Sequence, residues 1–261
     1  MLRQESELAG YAIHASDGLI GTVSDFLFDD KTWWVRWFVI NAGHWLDDRK
    51  VLLPPSALEH VSRIGRRFDV RLTRQQVKDS PDADTERPVS RQQETKIYDY
   101  YSWSPYWGNG SYMDIMGYGG FLGGSLAPAP TAESMSREKE IDDAQRSKND
   151  PTLRSAKEVT GYHIHAIDGD IGHVEDFVIE DDDWSIHYLL VDTKNWWPGN
   201  KVLIPPQSVR VIQWTDRIVG LNVDRQKVKD SRAYDPSLAF DPIHKSNIQK
   251  FNGDLRSGEG L

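Results

Sequence analysis

The sequence predicts an all-β protein: two small barrels in tandem, joined by a long, low-complexity linker. Three observations carry that reading. A stretch of 71 residues occurs twice without a gap. Within each copy, short apolar segments alternate with turn signals every 8–12 residues. Between the copies, over residues 81–160, the composition changes abruptly.

The repeat comes first, because missing one misassigns a fold. GYAIHASDGLIGTVSDF begins at Gly10 and GYHIHAIDGDIGHVEDF at Gly161, 151 positions later. The same offset brings Trp33 onto Trp184 and Trp45 onto Trp196. It also brings KVLLPP from Lys50 onto KVLIPP from Lys201, and RQQVKDS from Arg74 onto RQKVKDS from Arg225. Of the 71 aligned positions 27 are identical, so the copies arose by duplication and share a fold. The spans that follow are repeat 1 over residues 6–80, linker over 81–157, repeat 2 over 158–232 and an extended tail over 233–261. The first part of the linker is rich in Gly, Pro, Ser, Tyr and Trp and reads as flexible. Its second part is charged. A compact domain rarely contains so long a loop, which argues for two domains.

Each copy yields the same elements in order. Asp17-Gly18 and Asp168-Gly169 are hairpin dipeptides that tolerate positive φ. They pair Tyr11–Ala15 with Leu19–Phe28. Asp29-Asp30-Lys31 turns the chain into Trp33–Ile40, an aromatic and β-branched strand. The same place in the second copy reads WSIHYLLVD, with period two. A connector leads to VLLPP or VLIPP, where paired prolines end the strand. Phe68–Leu72 and a short helix over Arg74–Asp79 complete the copy. Five or six short strands in 71 residues suit a small barrel, whose closure removes exposed edges. Such a domain has a thin core. Trp33, Trp34, Trp37 and Trp184 are expected to fill it, since aromatics bury the most area per residue.

Composition bounds the chemistry. The 261 residues carry a net charge of −9, with 38% hydrophobic residues and no cysteine. Disulfides, thiolate metal sites and thiol nucleophiles are excluded. No signal-peptide or membrane-length apolar run occurs. The expectation is a cytoplasmic protein with no transmembrane segment. The chain as a whole lacks the basic footprint of a free-standing nucleic-acid binder. Charge is uneven, however: residues 10–80 hold 10 Lys/Arg against 9 Asp/Glu, and residues 161–231 hold 7 against 12.

The pattern GY.IHA.DG.IG.V.DF, then a tryptophan strand and a W…KVLLPP segment, resembles the PRC-barrel family. That family includes the cytoplasmic barrel of the photosynthetic reaction centre H subunit and the C-terminal barrel of the ribosome-maturation factor RimM. The resemblance covers both repeats and implies two PRC-like β-barrels that bind or assemble rather than catalyse. A protein partner or self-association is therefore expected. An RNA-processing or ribosome-assembly role like that of RimM is one alternative, with nucleic acid as partner. A peripheral role in a membrane or photosynthetic complex is another.

His163, His165 and His173, with Asp168, are a potential metal-ligand set, but the first copy has Ala12 and Thr22 in place of two of them. No metal and no cofactor is expected. Asp25 and Asp176 recur without a catalytic partner and are expected to accept backbone N–H bonds at a bend. No catalytic residue is expected. Trp45 with Leu46, and Trp196 with Trp197, put large apolar groups on a loop. They serve either as partner contacts or as caps on their own barrels. Arg63, Arg66, Arg67, Arg71 and Arg74 form a basic cluster, while the second copy offers Asp181-Asp182-Asp183. These charges are solvated faces, or pair one barrel with the other, or meet an acidic partner.

Overall fold

The computed structural model describes residues 1–81, 91–106, 153–193, 201–230 and Tyr234. The chain divides into two units, residues 1–78 with 152–261, and residues 79–151. The first unit holds both repeats.

Repeat 1 runs β1 (Leu2–Gln4), α1 (Glu5–Leu8), β2 (Ala12–Ala15), β3 (Gly18–Asp29), β4 (Val35–Asn41), β5 (Lys50–Leu53), β6 (Leu58–Ser62), β7 (Arg67–Val70) and α2 (Arg74–Lys78). In the other unit, α3 (Arg91–Tyr101) is an 11-residue helix. Repeat 2 runs β8 (Leu153–Ser155), α4 (Ala156–Val159), β9 (His163–Ala166), β10 (Gly169–Glu180), β11 (Ile186–Asp192), β12 (Lys201–Ile204), β13 (Val209–Gln213), β14 (Ile218–Leu221) and α5 (Arg225–Asp230). The two all-β repeats expected from the sequence are thus present.

Three details differ from the sequence reading. Residues 91–101, read as flexible linker, form α3. The run Gln-Gln-Glu-Thr-Lys contains good helix formers, and Tyr106 Oη closes the segment by donating to Glu94 Oε1 at 3.1 Å. Strands β1 and β8 start at residues 2 and 153, ahead of the starts at 6 and 158. Strand β6 is absent from the sequence reading; its LEHVS holds one β-branched residue and no aromatic, and none of the five is buried.

Each repeat forms one sheet. The orders are β5-β4-β3-β2-β7-β6 and β12-β11-β10-β9-β14-β13. All neighbours are antiparallel except β2 with β7 and β9 with β14. The Asp of each hairpin turn also starts the closing helix. Asp17 Oδ1 accepts the Arg74 N–H at 2.8 Å, and Asp168 Oδ1 accepts that of Arg225 at 2.8 Å. Gly21 and Gly172 let β3 and β10 pass against the chain leaving the next strand. A Cβ at Gly21 would overlap the carbonyl oxygen of Asn41, and one at Gly172 that of Asp192.

The long strands explain how the repeats join. β2 pairs only with the first part of β3, Gly18–Thr22, which leaves the far end of β3 uncovered on that side. β8 of the other repeat fills the gap: Leu27, Phe28 and Asp29 face Ser155, Arg154 and Leu153. Reciprocally, β1 lies on β10, with Leu2, Arg3 and Gln4 facing Glu180, Ile179 and Val178. Each repeat lends its first strand to the other, and each sheet reaches seven strands. An otherwise open edge is covered by the exchange.

The core follows the exchange. Leu2 packs on Val178 and Tyr188 of the second repeat. Phe28 meets Phe177 at 5.3 Å between ring centroids. Trp184 reaches across to Phe38 at 4.7 Å and Phe68 at 5.7 Å. Trp33, Trp37 and Trp184 are buried as expected, but Trp34 is 44% exposed. Trp33 and Trp184 hold φ of 60° and 63°, unusual for so bulky a residue. That geometry aims their carbonyls at the opposite repeat. Trp33 O accepts the N–H of Ile186 at 2.7 Å, and Trp184 O that of Val35 at 2.9 Å. Among the described residues no helix is long and apolar enough to cross a membrane.

Candidate functional site

The seam between the repeats collects most of the buried charge. In each long strand a bulge precedes the aspartate, between Val23 and Asp25 and between Val174 and Asp176. A bulge re-aims the side chain beside it. Each aspartate then grips the strand lent by the other repeat. Asp25 accepts the Ser155 hydroxyl at 2.5 Å and the backbone N–H of Lys157 at 3.0 Å. Asp176 accepts the Ser6 hydroxyl at 2.5 Å and the Ser6 N–H at 3.3 Å. Both also accept the N–H of the next residue at 2.7 Å. The expectation of carboxylates accepting backbone N–H bonds at a bend is met, and the partners come from the other repeat. Burial pushes both carboxyls up, although these hydrogen bonds pull the other way.

Glu5, on the lent segment, is 8% exposed. Burial, then the charges of Asp176 and Asp25, push its carboxyl up to about 7, while Lys157 pulls it down.

At the other margin of the seam, Glu180, Asp181 and Asp182 bring carboxylate oxygens within 4.8 Å of one another. Their counter-ions are already in place. The Met1 amino group pairs with Glu180, with Asp181 at 2.6 Å and with Asp182 at 2.9 Å. Arg63 reaches Asp181 at 3.0 Å and Arg3 reaches it at 3.5 Å. Burial alone would raise the Asp181 carboxyl; the amino group and Arg63 more than offset this and hold it below its ordinary value. The symmetry-related pair is Arg154 with Asp30 at 2.7 Å, both largely buried.

The basic cluster is engaged within the molecule. Arg63 makes the bridge just described. Arg66 donates to the carbonyls of Glu7 and Ala9 at 3.2 and 3.3 Å and lies over Tyr11. Arg67 pairs with Asp69 at 2.9 Å and Arg71 with Glu59 at 3.2 Å. Of the three explanations for these charges, pairing of one barrel with the other describes Arg63. Trp45 sits on its own barrel: its indole N–H donates to Ile20 O at 2.5 Å, and Arg74 stacks over it at 4.3 Å. Leu46 is 8% exposed. These are the contacts of a cap, and half-buried Trp45 keeps part of its surface open to solvent. Trp196 and Trp197 lie outside the described residues. His163 and His173 face each other across β9 and β10, but His165 turns to Asp170 at 2.9 Å and His173 to Asp192 at 3.9 Å. Asp168 serves the helix cap.

A groove of about 730 Å³ opens from the seam. One wall is the β3–β4 turn, Asp30–Trp34. The other is the start of β11, Ser185–Tyr188, with Gln207 and Arg210. Trp34 and Ser185 join the walls by an isolated β-bridge. Arg36 lies 5.7 Å from the Trp34 ring centroid. Lys31 and Arg210 were not singled out from the sequence, and Trp34 was expected in the core but is 44% exposed. A signal for Trp34 was there: its counterpart at the repeat offset is Ser185, whereas buried Trp33 faces Trp184. Trp37 is not repeated either, but its counterpart Tyr188 is still a large buried aromatic; a tryptophan replaced by a small polar residue in the other copy is not one the shared core requires.

A PRC-barrel domain profile matches the chain twice, over residues 6–77 and 152–223, more than half its length. The second match includes β8, the strand lent to the first repeat. No curated protein matches the chain.

Proposed function

Since the chain belongs to the PRC-barrel domain family through both repeats, we propose that it is a non-catalytic interaction and assembly module. The observation that carries this reading is Trp34, a large aromatic 44% exposed at a groove walled by both repeats. Exposed tryptophans in concave sites are favoured anchors for protein partners. The carboxylates of the seam support the reading too. Asp25 and Asp176 are spent on hydrogen bonds that tie the lent strands, to the Ser155 and Ser6 hydroxyls and to backbone N–H groups. An RNA-accessory role draws less support, because Arg63, Arg66, Arg67 and Arg71 already have partners within the molecule.

The test is affinity capture from lysate with the tagged full chain beside a Trp34→Ser variant of unchanged thermal stability. A defined set of proteins that depends on Trp34 supports the module. Specific capture by neither protein overturns it.

A further inference from the structure

Building on the interaction reading above, we infer that the seam groove docks an extended acidic segment of a partner protein, with an apolar side chain set against Trp34. Charge is the first argument. Lys31 and Arg210 line the groove, are exposed, and form no ion pair among the described residues. The one carboxylate among its described lining residues, Asp30, is neutralised by Arg154 at 2.7 Å. The groove is therefore locally positive on a chain of net charge −9.

Comparison of the repeats is the second. At the 151-residue offset, Lys31 corresponds to Asp182 and Arg210 to Glu59. The equivalent positions on the opposite side of the molecule are acidic, and both are already paired, Asp182 with the Met1 amino group and Glu59 with Arg71. The duplicated positions differ between the two surfaces: one is basic and carries an exposed tryptophan, and the other is acidic. Shared core packing does not require either difference.

The shape of the site selects a polypeptide. β13, which begins beside the groove at Val209, ends its sheet, and among the described residues no strand pairs with its outer edge. Such an edge offers backbone hydrogen bonds to an extended chain. A single exposed indole is not the row of stacking aromatics that single-stranded nucleic acid uses.

Fluorescence anisotropy on the full chain tests the assignment. One probe is a fluorescein-labelled peptide in which glutamates flank a single tryptophan; the control carries lysines in place of the glutamates. The glutamate peptide is expected to bind, with affinity falling as salt rises. Joint Lys31→Glu and Arg210→Glu substitution should weaken it about tenfold or more and turn the preference toward the lysine peptide. Trp34→Ala should weaken both complexes. Equal binding of the two peptides, or affinity unchanged by charge reversal, overturns the inference. So does tighter binding of a short single-stranded RNA that competes for the site, or a dimer of the chain that disperses on charge reversal. Lysate capture with the charge-reversed protein separates the two levels: partners retained by it leave the interaction module standing without this groove.

Discussion

Glu5 carries the clearest residue-scale consequence. Its carboxyl is raised from 4.5 to about 7, by burial first and then by Asp176 and Asp25, with Lys157 opposing. A folded-state value above the unfolded one means that its contribution is full below pH 4.5 and is lost as pH rises through about 7. Glu5→Gln mimics the protonated form. Near pH 4.5 it should match the parent in urea unfolding. At pH 8 it should be more stable, by an amount on the order of 3 kcal/mol at most. A difference that does not change with pH would refute the assignment. The glycines give a second expectation. Gly21→Ala and Gly172→Ala would drive a methyl into the Asn41 and Asp192 carbonyls. Each should cost about 1–3 kcal/mol or more in thermal unfolding, and a neutral outcome would mean the strands can part.

At the scale of elements, the lent strands are short but anchored by side chains as well as by their ladders. Arg154 on β8 anchors to Asp30, and Ser155 next to it anchors to Asp25. Arg154→Ala strands a largely buried carboxylate and should destabilise by about 3 kcal/mol. Arg154→Met combined with Asp30→Leu should recover most of that loss, since an apolar pair of similar volume replaces the ions. If the double variant is as unstable as the single one, the pair's hydrogen bonds matter more than its charge. These elements also mark what the sequence made legible. The Asp-Gly hairpins, the period-two strands and the proline-ended β5 and β12 were readable because local chemistry decides them. The exchange was not. LRQ at Leu2 and LRS at Leu153 read alike, and each would satisfy the same ladder in its own repeat or in the other. Nor does residue type alone separate Trp33 from Trp34: a bulge and a left-handed residue decide which indole turns inward. The bulges recur in both copies but have no signature in composition.

For the whole molecule, the exchange couples two cores that could have been independent. Trp184 packs on Phe38 and Phe68, and Leu2 packs on Val178 and Tyr188. Both repeats should therefore unfold in one transition, with equal calorimetric and van't Hoff enthalpies. A chain cut at a protease site inserted between residues 107 and 152 should keep its two fragments together on size-exclusion chromatography. Separate transitions, or fragments that elute apart, would show that each repeat takes back its own strand.

The reciprocal exchange also sets a timetable for synthesis. The far end of β3 leaves the ribosome by Asp29, but the strand that covers it is complete only at Ser155. At about 5–20 residues per second, that edge waits roughly 6–25 seconds for its partner. During that interval the nascent first barrel exposes the same hydrogen-bonding row to the nascent first barrels of neighbouring ribosomes on the same message. Crowded translation is thus the condition under which this fold is most exposed to pairing with the wrong copy.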